Sequence, residues 1–102
     1  MSAEWHILGA GAVGTLLCGA CDSAGVAAQL LTHRVAPERR TLCDDDATRV
    51  FPVLPLHELE PHSIRRLLLT TKAHALGAAL RGALPWLHRD AVVLTCVNGR
   101  GF

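Results

Sequence analysis

A glycine-spaced turn, Gly9-Ala10-Gly11-Ala12-Val13-Gly14, constrains this chain more than any other feature. It follows a short apolar run, Trp5-His6-Ile7-Leu8, and opens a stretch of helical spacing from Val13 to Cys21. A glycine turn between a strand and a helix is the arrangement that binds dinucleotides. In such a turn Gly9 permits the tight bend off the strand. Gly11 lets backbone approach a pyrophosphate with no Cβ in the way, and Gly14 lets the helix pack close. The helix N-terminus offers free N–H groups and a partial positive charge to the phosphates.

The rest of the chain reads as alternating strands and helices. Glu4 to Leu8 is expected as a strand, Ala12 to about Ala24 as a helix capped by Gly25, and Val26 to Thr32 as a buried strand. His33 to Asp46 is charged and irregular, and reads as a solvated loop. Arg49 to Leu54 is a short third strand, limited by Pro52 and Pro55. His57 to His62 reads as a loop or helical turn. Arg66 to Thr71 is the next strand, Leu76 to Leu84 a helix stopped by Pro85, and Ala91 to Val97 a final buried strand. This alternation predicts an α/β fold, a parallel sheet with helices on its faces. Ligands of such sheets bind at the carboxyl ends of the strands. Gly9 to Gly14, His33-Arg34, Lys72 and Asn98 all fall there.

Composition narrows the function. The net charge of +1 gives no electrostatic case for nucleic acid or an anionic membrane, so neither is expected as a partner. Apolar stretches are interrupted before the ~20 residues that a membrane span needs. No basic leader precedes the first strand, so no signal peptide is expected. Cys18 and Cys21 form a C-x-x-C, but no second pair completes four ligands. They read as small buried hydrophobes with reduced thiols, and a cytoplasmic setting is expected. Asp44-Asp45-Asp46 reads as a solvated loop, since adjacent carboxylates do not converge on one ion. No metal is expected.

The second strand is where a dinucleotide fold selects its cofactor: a carboxylate there favours NAD, a basic residue NADP. Thr32-His33-Arg34 offers no carboxylate, and Arg34 lies 20 residues after Gly14. Its guanidinium suits a 2′-phosphate. Lys72, at a strand end, suits a phosphate or substrate contact, and Asn98 can both donate and accept hydrogen bonds. His74 reads as helix-surface packing. His6 reads as a strand residue, and His57, His62 and His88 as solvated.

Three segments together resemble the ketopantoate reductases (2-dehydropantoate 2-reductase). They are Ile7 to Gly14, Leu68-Leu69-Thr70-Thr71-Lys72-Ala73-His74, and Val92-Val93-Leu94-Thr95-Cys96-Val97-Asn98-Gly99-Arg100-Gly101. The resemblance implies a Rossmann-like domain in which residues 1–102 are the N-terminal NADPH-binding part. That domain would be incomplete at its C-terminal end, with the C-terminal helical domain absent. It implies NADP(H) as cofactor, held by Gly9, Ala10, Gly11, Ala12, Val13, Gly14, Arg34, Lys72 and Asn98. Asn98 would also touch the substrate, a small 2-keto acid. The implied activity is reduction of 2-dehydropantoate to pantoate, in pantothenate biosynthesis. The family's general-acid lysine belongs to the second domain, so no catalytic residue is expected in this chain. Two departures stand out. Counted from Gly25, Arg34 comes one residue later than the family spacing, with His33 in the usual place. Val97 also stands where the family often has a polar residue. A stand-alone, non-catalytic NADP-binding module and the start of another Rossmann oxidoreductase remain alternatives. The last strand, as an exposed apolar edge, is expected to invite self-association.

Overall fold

The computed structural model describes residues 3–9, 11–43 and 47–96. Within them, six strands form one sheet. They are β1 (Trp5–Leu8), β2 (Ala28–Thr32), β3 (Glu38–Cys43), β4 (Thr48–Pro55), β5 (Ile64–Leu69) and β6 (Leu87–Thr95). Helix α1 (Ala12–Ser23) connects β1 to β2, and α2 (Leu76–Ala83) connects β5 to β6. The sheet order is β3-β4-β2-β1-β5-β6. All pairs are parallel except β3 with β4.

Successive residues of the central strands feed two cores. Ile7 and Leu30 pack with Cys18 of α1 and Val53, while Leu8 and Leu31 pack with Leu67, Leu69 and the α2 residues Ala79 and Ala83. A strand covered by a helix on each face needs apolar side chains at every position, which is why these strands read as unbroken apolar runs. The buried Cys18 thiol, 3.9 Å from the Ala28 carbonyl oxygen, is one of these packing groups, and burial pushes its pKa up. His6 is also buried, with no hydrogen-bond partner for Nδ1 among the described residues. Desolvation lowers its pKa, so the neutral ring is the form the fold accepts.

Helix α1 ends as its sequence predicts. Gly25 takes a left-handed φ of 76°, and the Val26 N–H donates to the Cys21 carbonyl at 2.8 Å. Arg49 of β4 adds an electrostatic lock on that end, donating to the Gly19 carbonyl at 3.2 Å and to the Asp22 carboxylate at 3.0 Å.

The expectations for β3, β4 and β6 need correction. The segment expected as a loop between His33 and Asp46 contains β3, an antiparallel edge strand. Its alternation is carried by Glu38, Arg40 and Leu42, so no apolar period betrays it. Charged side chains suit an edge that faces water. Strand β4 runs through Pro52 to Pro55 instead of stopping between them. Its ladder with β2 begins only at Val53 and closes at the Thr32–Pro55 rung. Below it, the Gln29 side-chain amide donates to the Pro52 carbonyl at 2.8 Å and so takes up that acceptor. Finally, β6 starts at Leu87, across His88-Arg89-Asp90, and is not buried: Val92 is 52% and Leu94 48% exposed. Among the described residues it pairs only with β5, on the sheet's outer edge. Asp44 to Asp46 lie outside the described residues. None of the described helices is long and apolar enough to cross a membrane.

Candidate functional site

The sheet order sets the site. From β1 the chain goes to β2 on one side and later returns to β5 on the other, so a crevice opens between the carboxyl ends of β1 and β5. A cleft of about 480 Å³ lies there, lined by Gly9, Gly11, Ala12, Val13, Thr70, Thr71, Lys72, His74, Ala75 and Cys96. Among its described lining residues Lys72 and His74 are the basic side chains, and none is a carboxylate. Such a wall favours an anion.

The glycine turn is built as its spacing predicts. Gly9 has φ +114°, a conformation that side chains rarely adopt. Gly14 packs directly against the Gly9 carbonyl, leaving no room for a Cβ between helix and turn. Gly11 differs from both: a Cβ there would meet nothing within 4 Å. Its bareness serves no packing within the chain, and leaves backbone open toward the cleft. Gly11 is also the N-cap of α1, with no side-chain cap and no acidic residue in the first turn. The first N–H groups of the helix therefore point outward with their positive partial charge unneutralised. The donor set and the open backbone fit the pyrophosphate of a dinucleotide.

Thr70 was hidden inside the expected strand. In the structure β5 ends at Leu69, and the Thr70 Oγ1 donates to the Gly9 carbonyl at 2.7 Å, with the Leu8 carbonyl at 3.3 Å. The Thr70 N–H also donates to the Leu8 carbonyl at 3.1 Å. This residue ties the glycine turn across the crevice to β5. One hydroxyl proton serves one strong bond, here the shorter one to Gly9. Thr70→Val is therefore expected to cost about 1 kcal/mol of stability, read as a lower denaturant midpoint with an unchanged slope. Thr71 sits beside it with a buried Oγ1 that has no partner among the described residues.

Lys72 follows in an extended conformation, exposed and without an ion-pair partner among the described residues. His74 is exposed on the cleft wall, in a 3-10 turn spanning Ala73–Ala75, and is not packed on a helix surface as its sequence setting implied. Cys96 joins the wall from the end of β6, its N–H donating to the Leu69 carbonyl at 2.8 Å. Ala10 and Asn98 lie outside the described residues. No group of three or more His, Cys, Asp or Glu among the described residues is placed to hold a metal ion.

Arg34 lies apart from this cleft. Its backbone N–H donates to Thr32 Oγ1 at 3.1 Å, which turns the chain at the end of β2. The His33 ring goes to the α2 side, where a Cβ on Gly82 would lie 2.6 Å from its Cε1. Arg34 instead reaches β3: its Nη1 is 3.1 Å from Glu38 Oε1, and Arg40 Nη2 is 2.8 Å from Glu38 Oε2. Hydrogen bonding to Arg40, together with the charges of both arginines, holds the Glu38 carboxyl below the usual carboxylate range. Arg40 lines a second cleft, of about 470 Å³, with Gly11, Ala12, Thr15, Leu16, Thr41 and Leu42. Glu38 and Arg40 escaped the sequence reading because their segment read as a loop.

Comparison with known proteins places this geometry. Residues 5–101 match the family model of ketopantoate reductase PanE/ApbA. A 2-dehydropantoate 2-reductase of Vibrio cholerae is 35% identical over 95 residues, covering 93% of this chain and 31% of that protein. The solved dimeric ketopantoate reductase of Staphylococcus aureus superposes with a TM-score of 0.74 at 18% identity, covering 93% of this chain and 33% of its own. Aspartate semialdehyde dehydrogenase II of Vibrio cholerae superposes with a TM-score of 0.55 at 16% identity, covering 96% of this chain and 29% of its own, a likeness of fold alone. The chain spans about a third of the length of the relatives it matches. It belongs to the ketopantoate reductase family.

Proposed function

We propose that this member of the ketopantoate reductase family holds NADP(H) at the carboxyl edge of its sheet, as the cofactor-binding part of a 2-dehydropantoate 2-reductase. The observation that carries this reading is the cleft between β1 and β5, with no carboxylate among its described lining residues, an uncapped helix N-terminus on one wall and Lys72 on the other. In this reading the backbone of Gly9, Ala10 and Gly11 and the first-turn N–H groups at Ala12 and Val13 bind the pyrophosphate. Gly14 keeps the helix close enough to aim them. Lys72 supplies positive charge to the cofactor from the opposite wall. Arg34 binds the ribose 2′-phosphate, and Asn98 orients the nicotinamide ribose and the substrate. When bound, the reduced nicotinamide supplies hydride to the ketone carbon of the 2-keto acid, giving pantoate. The proton for the developing alkoxide comes from the second domain of a longer polypeptide. Self-association through the open edge of β6 belongs to the same proposal, as does a cytoplasmic role in pantothenate biosynthesis.

Amide chemical-shift mapping with NADPH tests the placement. Perturbations are expected at Gly9, Gly11 to Val13, Thr70 to Ala75 and Cys96, and at Arg34. Saturable shifts confined to the opposite, amino-terminal edge of the strands would overturn it.

A further inference from the structure

We propose that Glu38 sets how strongly this chain distinguishes NADPH from NADH, because its carboxylate occupies the anion position between Arg34 and Arg40. The inference rests on the cofactor reading above and adds a selectivity residue to it.

The geometry comes from β3. Glu38 pairs with Val53 and Arg40 with Phe51 across the antiparallel ladder. Val53 and Phe51 belong to the core on the α1 face, so Glu38 and Arg40 share that face. The carboxylate there bridges two guanidinium groups, one oxygen to each, at 3.1 and 2.8 Å. A phosphate at this position would accept the same two charge-assisted hydrogen bonds. The Glu38 side chain is 19% exposed, whereas that of Arg34 is 77% exposed. The carboxylate is thus the fixed partner, and Arg34 keeps open donors facing solvent. Arg40 links the group to the glycine turn, since its cleft is shared with Gly11 and Ala12.

A ribose 2′-phosphate that reaches Arg34 must either displace Glu38 or sit beside it. In the first case it gives up an existing charge-assisted pair. In the second, two anions lie within a few ångströms of each other. A ribose hydroxyl meets neither penalty and can donate to the carboxylate. Glu38 therefore weakens NADPH relative to NADH while Arg34 works the other way, and the observed preference is the difference between them.

Dissociation constants for NADPH and NADH, measured by nicotinamide fluorescence on the wild-type chain, Glu38→Gln and Glu38→Asp, test this. Glu38→Gln is expected to raise the NADPH-to-NADH affinity ratio about fivefold. Glu38→Asp retains the charge and is expected to leave that ratio within about twofold of wild type. Glu38→Ala serves the same purpose should the glutamine variant lose its circular-dichroism signature, because β3 pairs through its backbone at the sheet edge. An unchanged or lower ratio in the folded neutral variant, with wild type still binding NADPH, overturns this proposal alone. Wild type and neutral variant both folded and both failing to bind either cofactor overturns the cofactor reading as well.

Discussion

Gly14→Val should lower the stability of the folded chain by about 3 kcal/mol and abolish dinucleotide binding. A Cβ at this position runs into the Gly9 carbonyl and lies 3.0 Å from Thr70 Oγ1. Neither neighbour can retreat freely. Gly9 is already at φ +114°, and its carbonyl is fixed by the Thr70 hydroxyl at 2.7 Å. The helix would have to move off the turn, and its first N–H groups would lose their aim. A loss of that size is a large share of the roughly 5–15 kcal/mol that holds a small domain together. Gly11→Ala provides the contrast. A methyl group there meets nothing within 4 Å, so thermal unfolding should change little. Cofactor affinity should nevertheless fall, because the methyl group occupies the approach to the turn. Equal melting losses in the two variants would mean that Gly11 has a packing role the geometry does not contain.

The second large effect concerns Arg34. Arg34→Ala is expected to weaken NADPH binding about thirtyfold, in line with a charge-assisted hydrogen bond of about 2 kcal/mol. NADH affinity should stay within about threefold, since a bare ribose hydroxyl gives the guanidinium no phosphate to bind. The residue is well placed for this. The Thr32 hydroxyl accepts its N–H at 3.1 Å, and its side chain is 77% exposed, on the face shared with β3. The neighbouring His33 ring goes to the α2 side and lies against Gly82. Parallel losses of NADPH and NADH would assign Arg34 to the fold and not to the phosphate.

The glycine turn, the helix behind it and the apolar strands were legible because backbone and packing demands are local or periodic there. Gly9 and Gly14 are glycines for reasons internal to the chain, and Ile7-Leu8 and Leu30-Leu31 announce burial on both faces. Strand β3 was not legible, since an edge strand carrying Glu38, Arg39 and Arg40 has neither an apolar period nor a turn signature. Glu38 could be matched to Arg34 and Arg40 only once the ladder with β4 had set its face. Thr70 was masked by its apolar neighbours Leu67 to Leu69. Its role depends on a partner 61 residues away, the Gly9 carbonyl, and no local pattern encodes that contact. The charged start of β6 hid four residues of a strand that the sheet edge accommodates without burial.

The crevice between β1 and β5 is proposed as a nicotinamide-dinucleotide site with a preference for the 2′-phosphate. Titration of the folded chain with NADPH, and separately with NADH, tests it most directly through the enhancement and blue shift of nicotinamide fluorescence. Saturable binding of NADPH, tighter than that of NADH, is expected. A folded chain that gives no saturable change with either cofactor would contradict it.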